Sequence, residues 1–510
     1  MKKLYYNASS LGHPHMGVVL EKILEDKNDG HEVIFAYCHG VLPSCDFNVN
    51  GNQGVCNLCH HMYNNIKKEY LQGVKVIPIR KQNDTGKSSS FEFSRLEDLR
   101  KIKYRDINIG MSLLSYYISW TREMDGPMSA EQHHYFSTIL KDLKAFVDIA
   151  YNLVEKENPD TIAVYNGRLY ENRLFYDIAT LKGIQFESLE VVGGPLWHED
   201  KFYRTQFDNG LPHNIHGYQM QMDKVWNDTS RTLDEKMEIG SSFYYKRRTG
   251  QPAADIIFTK NMVENLLPDD FDSTKKNIVI FNSSDDEKAA LGGEWDEGKL
   301  FPTQYDAIEF VAQHAPENAH VYLRIHPNLS KIKYSYHTDL YKLKKYTNLT
   351  IIEPTSPISS YALMDIADQV VVFGSAMGVE GCFWGKPVLL LWKSLYYELD
   401  TCYVPQSHEE LIKMLNSDLT PKDKINAIKY GLFNLDRKVR VLEDKYIDIN
   451  YPEKALLGKK LRLIDYMKIC GSRSLFYILK ELILPRAYFR FCENKTPFPK
   501  ATNMGTMDAC

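Results

Sequence analysis

The sequence predicts an α/β protein of two Rossmann-like, doubly wound domains facing a cleft, followed by a helical segment. Three observations lead there. Short apolar runs alternate with amphipathic stretches through the first 220 residues, the rhythm of βαβ units. The same rhythm restarts near residue 275. A chain of 510 residues also exceeds what one hydrophobic core comfortably serves. The implied division is 1–220 for an N-terminal acceptor-side domain, 221–274 for a helical linker, 275–410 for a C-terminal ligand-binding domain and 411–510 for a helical, basic tail.

Lys3 to Asn7 reads as a strand, Met16 to Asp26 as a helix ended by Gly30, and His31 to Tyr37 as the next strand. A cysteine-rich insertion, Cys38 to Tyr70, then breaks the pattern, and Lys81 to Glu97 reads as a polar loop. Thr161 to Tyr165 is an apolar strand running into Asn166-Gly167-Arg168. Helix Glu171 to Leu181 and strand Gln185 to Val192 follow. In the second half the strands are Asn277 to Asn282, Val321 to Ile325, Leu349 to Ile352, Gln369 to Phe373 and Pro387 to Leu391. Helices Thr303 to His314 and Ile358 to Ile366 lie between them. Parallel sheets of this kind bind ligands outside the carboxyl ends of their strands.

Composition narrows the function. The net charge of −4 gives no pull toward nucleic acid. The 33 tyrosines are read first as ordinary core and surface rings. Leu4 to Ala8 is too short for a secretory signal, and no segment approaches the roughly 18 apolar residues of a spanning helix. A cytoplasmic location with reduced thiols is therefore expected. Lys454 to Lys495 holds ten Lys/Arg against three Asp/Glu, interleaved with apolar residues. It reads either as peripheral contact with an inner membrane surface or as a docked helix with a solvated basic face.

The densest chemistry lies in Phe373-Gly374-Ser375-Ala376-Met377-Gly378-Val379-Glu380, where a buried strand runs into a helix start. Amides at such a start attract phosphate. Gly374 and Gly378 are expected to let a ligand approach the backbone, and Ser375 to add a hydroxyl donor. Glu380 is placed to accept from a ribose diol. An αβ turn whose glycines serve geometry alone is the competing reading. Arg324-Ile325-His326-Pro327 ends a strand of the same sheet, one crossover earlier. His326 there can donate to a phosphate oxygen, with Pro327 fixing the turn that aims it. Ser283 and Ser284, at the end of the first strand of this sheet, join the set.

Taken together, Arg324-Ile325-His326-Pro327, Gly374-Ser375 through Glu380, and Gly385-Lys386-Pro387-Val388 resemble the capsule polysaccharide biosynthesis transferases. These are GT-B enzymes that include capsule Kdo transferases; GT-B sialyltransferases of bacteria are similar in the same elements. The resemblance covers about residues 275–395. It implies a bacterial, metal-independent glycosyltransferase acting from a nucleotide-sugar donor onto a surface polysaccharide or glycolipid. His326 and Ser375 would hold the donor phosphate and Glu380 the ribose. Relatives often carry two serines where this chain has Gly374-Ser375. No cofactor is expected beyond the donor, and no Asp-x-Asp stands at a strand end to hold a catalytic metal. The alternatives are a nucleotide-sugar epimerase of the same fold and a non-catalytic nucleotide-sugar-binding protein.

A transferase of the inverting kind needs a base on the acceptor side. Candidates at strand ends are His13, His15, Glu187 and Glu190, with His13 and Glu190 preferred; Asn166 and Arg168 are placed to bind acceptor or donor oxygens. Cys38, Cys45, Cys56 and Cys59 fall within 22 residues and end in a Cys-x-x-Cys. They read either as a structural zinc site or as plain buried thiols.

Overall fold

The computed structural model describes residues 1–443 apart from 12–13, 43, 46–47, 49–50, 82–90, 194–200, 252, 254–257, 260–261 and 437–439. The strands are β1 (Lys2–Asn7), β2 (Glu32–Cys38), β3 (Lys75–Ile79), β4 (Thr161–Tyr165), β5 (Gln185–Gly193), β6 (Phe202–Asp208), β7 (Lys276–Phe281), β8 (Ala319–Arg324), β9 (Leu349–Ile352), β10 (Gln369–Val372), β11 (Val388–Leu390) and β12 (Arg440–Val441). They form two sheets. The first has the order β12-β6-β5-β4-β1-β2-β3, parallel from β3 to β5 with β6 and β12 antiparallel at one edge; the second, β11-β10-β7-β8-β9, is parallel throughout. In each sheet the chain starts in the middle and winds outward both ways. The topological switch points therefore lie at β1/β4 and β7/β10. The two sheets, each covered by helices, make the doubly wound pair of the GT-B arrangement.

Alternation along the strands fills both faces. Leu4 and Tyr6 pack with helices Ile109–Thr121, Ala130–Glu157 and Tyr170–Lys182, while Tyr5 faces helices His15–Asn28 and Gln53–Glu69. Ile278 and Ile280 of β7 meet helix Gln304–His314, and Val279 and Phe281 face the other side. The parallel strands are apolar on both faces because both are covered.

Two stretches differ from the sequence reading. The helices of the stretch read as a helical linker, residues 221–274, belong to a core. Helices Ile215–Asn227 and Leu233–Arg248 pack with helix Lys424–Asp436 into the core of the second sheet, through Tyr218, Met222, Phe243, Tyr244, Ile428 and Phe433. The helices were legible, but nothing local marks them as core. The chain then crosses back, and β12 pairs with β6 of the first sheet. The cysteine-rich insertion contains helix Gln53–Glu69, whose start is capped by the Asn52 side chain. The basic stretch Lys454 to Lys495 lies outside the described residues. Among the described residues no helix is long and apolar enough to cross a membrane.

Helices Leu233–Arg248 and Lys424–Asp436 cross at a pair of glycines. A Cβ on Gly240 would lie 2.3 Å from the Ile428 carbonyl oxygen, and one on Gly431 would lie 2.2 Å from that of Gly240. Backbone cannot yield there as a flexible side chain would. Gly240→Ala and Gly431→Ala are each expected to cost about 1–3 kcal/mol through overpacking, read as a lower urea midpoint; unchanged midpoints would contradict this crossing.

Candidate functional site

The loops after β7, β8 and β10 meet at the carboxyl edge of the second sheet. Asn282 leaves β7 and accepts the His326 amide on its side-chain oxygen at 2.7 Å, which joins the first two loops. His326 opens the single 3-10 turn Pro327–Leu329, with Pro327 in its first position. The imidazole Nδ1 accepts the Asn328 amide at 3.2 Å. That bond leaves Nε2 to carry the proton of the neutral ring. Burial, with the charges of Arg122 and Arg324 added, pulls the His326 pKa down to about 4. The ring is thus a neutral donor at pH 7. Phe258 packs edge-on against it at 5.2 Å.

Lys288 is the second donor and was missed in the sequence. Its ammonium bonds the Phe373 carbonyl at 3.0 Å, and a Cβ on Gly374 would lie 2.1 Å from it. Burial lowers the lysine's pKa to about 8, opposed by Glu287 and Asp285, so the group stays cationic at pH 7. Gly374 (φ +88°) is therefore required both by its left-handed backbone and by the lysine that fills its open side. This corrects the expectation of a ligand approaching that glycine. Gly378 is corrected likewise: a Cβ there would meet the Tyr396 hydroxyl at 2.4 Å, so the glycine admits a tyrosine. Ser375 caps its own helix, its hydroxyl accepting the Met377 amide at 3.3 Å, and Tyr396 donates to its carbonyl at 2.5 Å. Ser283 donates to the Phe373 carbonyl at 3.2 Å, and Ser284 donates to Asp286 at 2.5 Å.

Glu380 is the main correction. Its side chain is 0% exposed, with one oxygen bonded by Arg247 Nε at 2.9 Å and the other by the Tyr361 hydroxyl at 2.6 Å. It ties helix Met377–Phe383 to helix Leu233–Arg248 as a buried ion pair and offers no open oxygen to a ribose. Arg324 is also structural: its guanidinium bonds the Glu353 and Ser356 carbonyls, which anchors the loop after β9.

The first sheet brings a second set of residues to the same crevice. At the end of β4, Asn166 has left-handed backbone (φ +60°); its side-chain amide donates to Glu190 and its oxygen accepts the Arg168 amide at 2.9 Å. Arg168 donates to the Ser115 and Ser119 hydroxyls at 3.1 and 3.2 Å. Burial lowers its pKa, against the raising effects of Glu190, Glu287 and Asp286. Arg173 reaches the Leu291 carbonyl at 3.1 Å. Burial and the charges of Arg168 and Arg173 push His213 down to about 3. Arg122, another residue the sequence did not single out, crosses to Asp286 at 2.7 Å. No local pattern marks Arg122; Lys288 was within reach of counting onward from the end of β7.

Of the remaining candidates, His15 stacks on Tyr165 at 4.0 Å above the β1/β4 switch point. Glu187 sits near the start of β5, at the other end of that sheet, and pairs with Lys3 at 2.8 Å; it is not at the crevice. His13 lies outside the described residues. The four cysteines are free thiols lining one small cavity with His60 and Asn48. Cys59 accepts from Ser10 and Cys56 from Asn48. Among the described residues no group of three or more His, Cys, Asp and Glu side chains is placed to hold a metal ion.

No protein-family model and no curated protein matches the sequence. Similar solved structures include the β-Kdo 2,7 transferase of KpsC from Thermosulfurimonas dismutans, at 15% identity over 60% of this chain and 90% of that one, with a TM-score of 0.33. The UDP-GlcNAc 2-epimerase of Methanocaldococcus jannaschii is similar at 11% identity over 85% and 98%, TM-score 0.23. The Streptomyces sp. SF2575 glycosyltransferase SsfS6 is similar at 10% over 86% and 96%, TM-score 0.21. At these values none of the likenesses carries a functional inference.

Two outcomes are expected from the site itself. Arg247→Ala strands a buried carboxylate and should cost about 3–5 kcal/mol in urea unfolding; a loss under 1 kcal/mol (about the worth of an exposed pair) would contradict the buried pair. His326 has a folded pKa near 4 against its ordinary 6.5, so unfolding takes up a proton between those values. Its contribution is complete above pH 6.5 and is lost as pH falls toward 4. His326→Asn should therefore flatten the fall in urea midpoint over that window relative to wild type; parallel curves would mean that the ring is not held neutral.

Proposed function

We propose that this protein is a glycosyltransferase that moves a sugar from a nucleotide-sugar donor onto a surface polysaccharide or glycolipid acceptor. One observation carries the proposal. His326 follows β8, Lys288 lies in the loop after β7 and Arg168 follows β4, at the carboxyl ends of strands where doubly wound sheets take their ligands, and Arg122 from the end of helix Ile109–Thr121 and Arg173 from helix Tyr170–Lys182 reach the loop after β7. That charge set suits the phosphate of a nucleotide.

As the bond from sugar to phosphate breaks, negative charge builds on the leaving oxygens. The Nε2–H of His326 and the Lys288 ammonium are oriented before the event, so little reorganisation is needed when the charge appears. The protein's own cations compensate the phosphate. On the acceptor side, Glu190 is the base we assign: it stands toward the carboxyl end of β5 and is oriented by the Asn166 amide. It takes the acceptor hydroxyl's proton as the oxygen attacks the anomeric carbon. Closure of the two domains over the donor excludes water and limits hydrolysis.

A thermal-shift panel with CMP, UMP, UDP and GDP tests the donor site. One of the four should raise the melting temperature by mass action, and His326→Ala and Lys288→Ala should abolish that rise. Glu190→Gln should keep the rise but lose acceptor-dependent release of free nucleotide. Four silent nucleotides, or both crevice variants responding like wild type, would overturn the proposal.

A further inference from the structure

The crevice already holds an anion. Helix Ile109–Thr121 ends at Arg122, whose backbone is left-handed (φ +61°) and whose amide closes on the Ile118 carbonyl at 2.8 Å. From that corner the side chain leaves the first domain and spends all its reach on the second. Nε bonds one Asp286 oxygen at 2.7 Å; one terminal nitrogen bonds the other at 3.0 Å and the Ser284 hydroxyl at 2.5 Å; the second terminal nitrogen bonds the Asn328 carbonyl at 3.0 Å. The corner itself is pinned from across the crevice, since the Tyr334 and Tyr336 hydroxyls donate to the Thr121 and Arg122 carbonyls at 3.1 and 3.2 Å. Asn328, which Arg122 grips by its carbonyl, is the residue whose amide orients the His326 ring. The guanidinium therefore stands beside the phosphate donor proposed above, with a carboxylate filling its fork.

We infer that Arg122 is a donor-phosphate ligand supplied by the first domain, held by Asp286 until the donor arrives. The inference rests on the donor-site proposal and deepens it. A guanidinium fork matches carboxylate and phosphate oxygens with the same geometry. Exchange of one anion for the other leaves the arginine's hydrogen bonds satisfied. It also leaves Asp286 with a partner of its own, because Ser284 donates to it at 2.5 Å. A phosphate held at once by His326 and Lys288 from one domain and Arg122 from the other fastens the two across the crevice. The carboxylate acts as a stand-in that keeps the cation in place and competes with the donor for it.

Two substitutions in the full-length chain test this in opposite directions, by calorimetric titration with whichever of the four nucleotides raises the melting temperature. Arg122→Ala should weaken binding by roughly tenfold or more, the loss expected for a charge-assisted hydrogen bond. Asp286→Asn, which removes the competing charge and keeps the shape, should tighten binding several-fold. Arg122→Ala binding as wild type, or Asp286→Asn binding no more tightly, would overturn the assignment. Should Arg122→Ala fail to fold, Arg122→Lys decides: it keeps the charge and loses the fork, so it should weaken binding, and wild-type affinity would overturn the assignment. If His326→Ala loses the nucleotide while both new variants match wild type, the donor site stands and the role of Arg122 falls. If no nucleotide binds the wild-type chain, both fall together.

Discussion

Charge balance in the crevice between the sheets is the constraint on which the site depends. Arg122, Arg168, Arg173 and Lys288 are gathered there, and burial works against the charges of Arg122, Arg168 and Lys288. What makes the gathering tolerable is one short loop. Ser284 to Lys288 places Asp286 against Arg122, and Glu287 acts on Arg168 and Lys288. The same loop feels the burial itself: Asp285 and Glu287 are both pushed toward the protonated form, first by desolvation and then by the Asp286 charge. A crevice so wired is stable without ligand yet has acids and cations whose pairing an incoming phosphate can rearrange.

The same physics separates residues that serve the fold from those that serve the chemistry. Glu380 and Arg247 satisfy one another in the core, and removing either would leave the other charged and dry. A comparable group lies beneath the first sheet, where Lys3 is held by Asp26 and Glu187 at 3.1 and 2.8 Å and Arg204 by Glu21 at 3.0 Å. These pairs are closed. Around His326 the arrangement among the described residues is open: the ring accepts on one nitrogen, keeps a proton on the other, and has Arg122, Arg324 and Lys288 acting on it. An acid bonded on both oxygens and an imidazole bonded on one nitrogen look equally functional in a sequence, and only their partners tell them apart.

The glycines teach a related point. Gly374 and Gly378 sit where a phosphate-binding turn would want them, and each is required by a side chain from elsewhere, Lys288 in one case and Tyr396 in the other. Close approach is real at both positions, but it is the protein that approaches. Gly240 and Gly431, which carry no motif, serve a helix crossing that fastens the helices of residues 215–248 to the second domain. Spacing announces that a backbone must be bare without saying what will press against it.

Local pattern determined much of this protein. The apolar runs that alternate with amphipathic stretches specify the parallel strands other than β3 nearly to the residue, because period and burial are properties of neighbouring positions; β3 (Lys75–Ile79) was not read. Thr161–Tyr165 and Leu349–Ile352 stand as the sequence predicts them. His326-Pro327 at a strand end was legible for the same reason: a strand's carboxyl end in a parallel sheet has only one edge to face. The antiparallel strands β6 and β12 were not, since β12 exists only where β6 is present to pair with it. Nor was the site's second half. Arg122 lies 164 positions from Asp286, and what brings them together is the docking of one domain on the other. The partner that closes Glu380, and the one cavity that the four cysteines share, were likewise decided by tertiary packing. A titratable side chain's function is set by what surrounds it in space, and sequence neighbours supply only part of that shell.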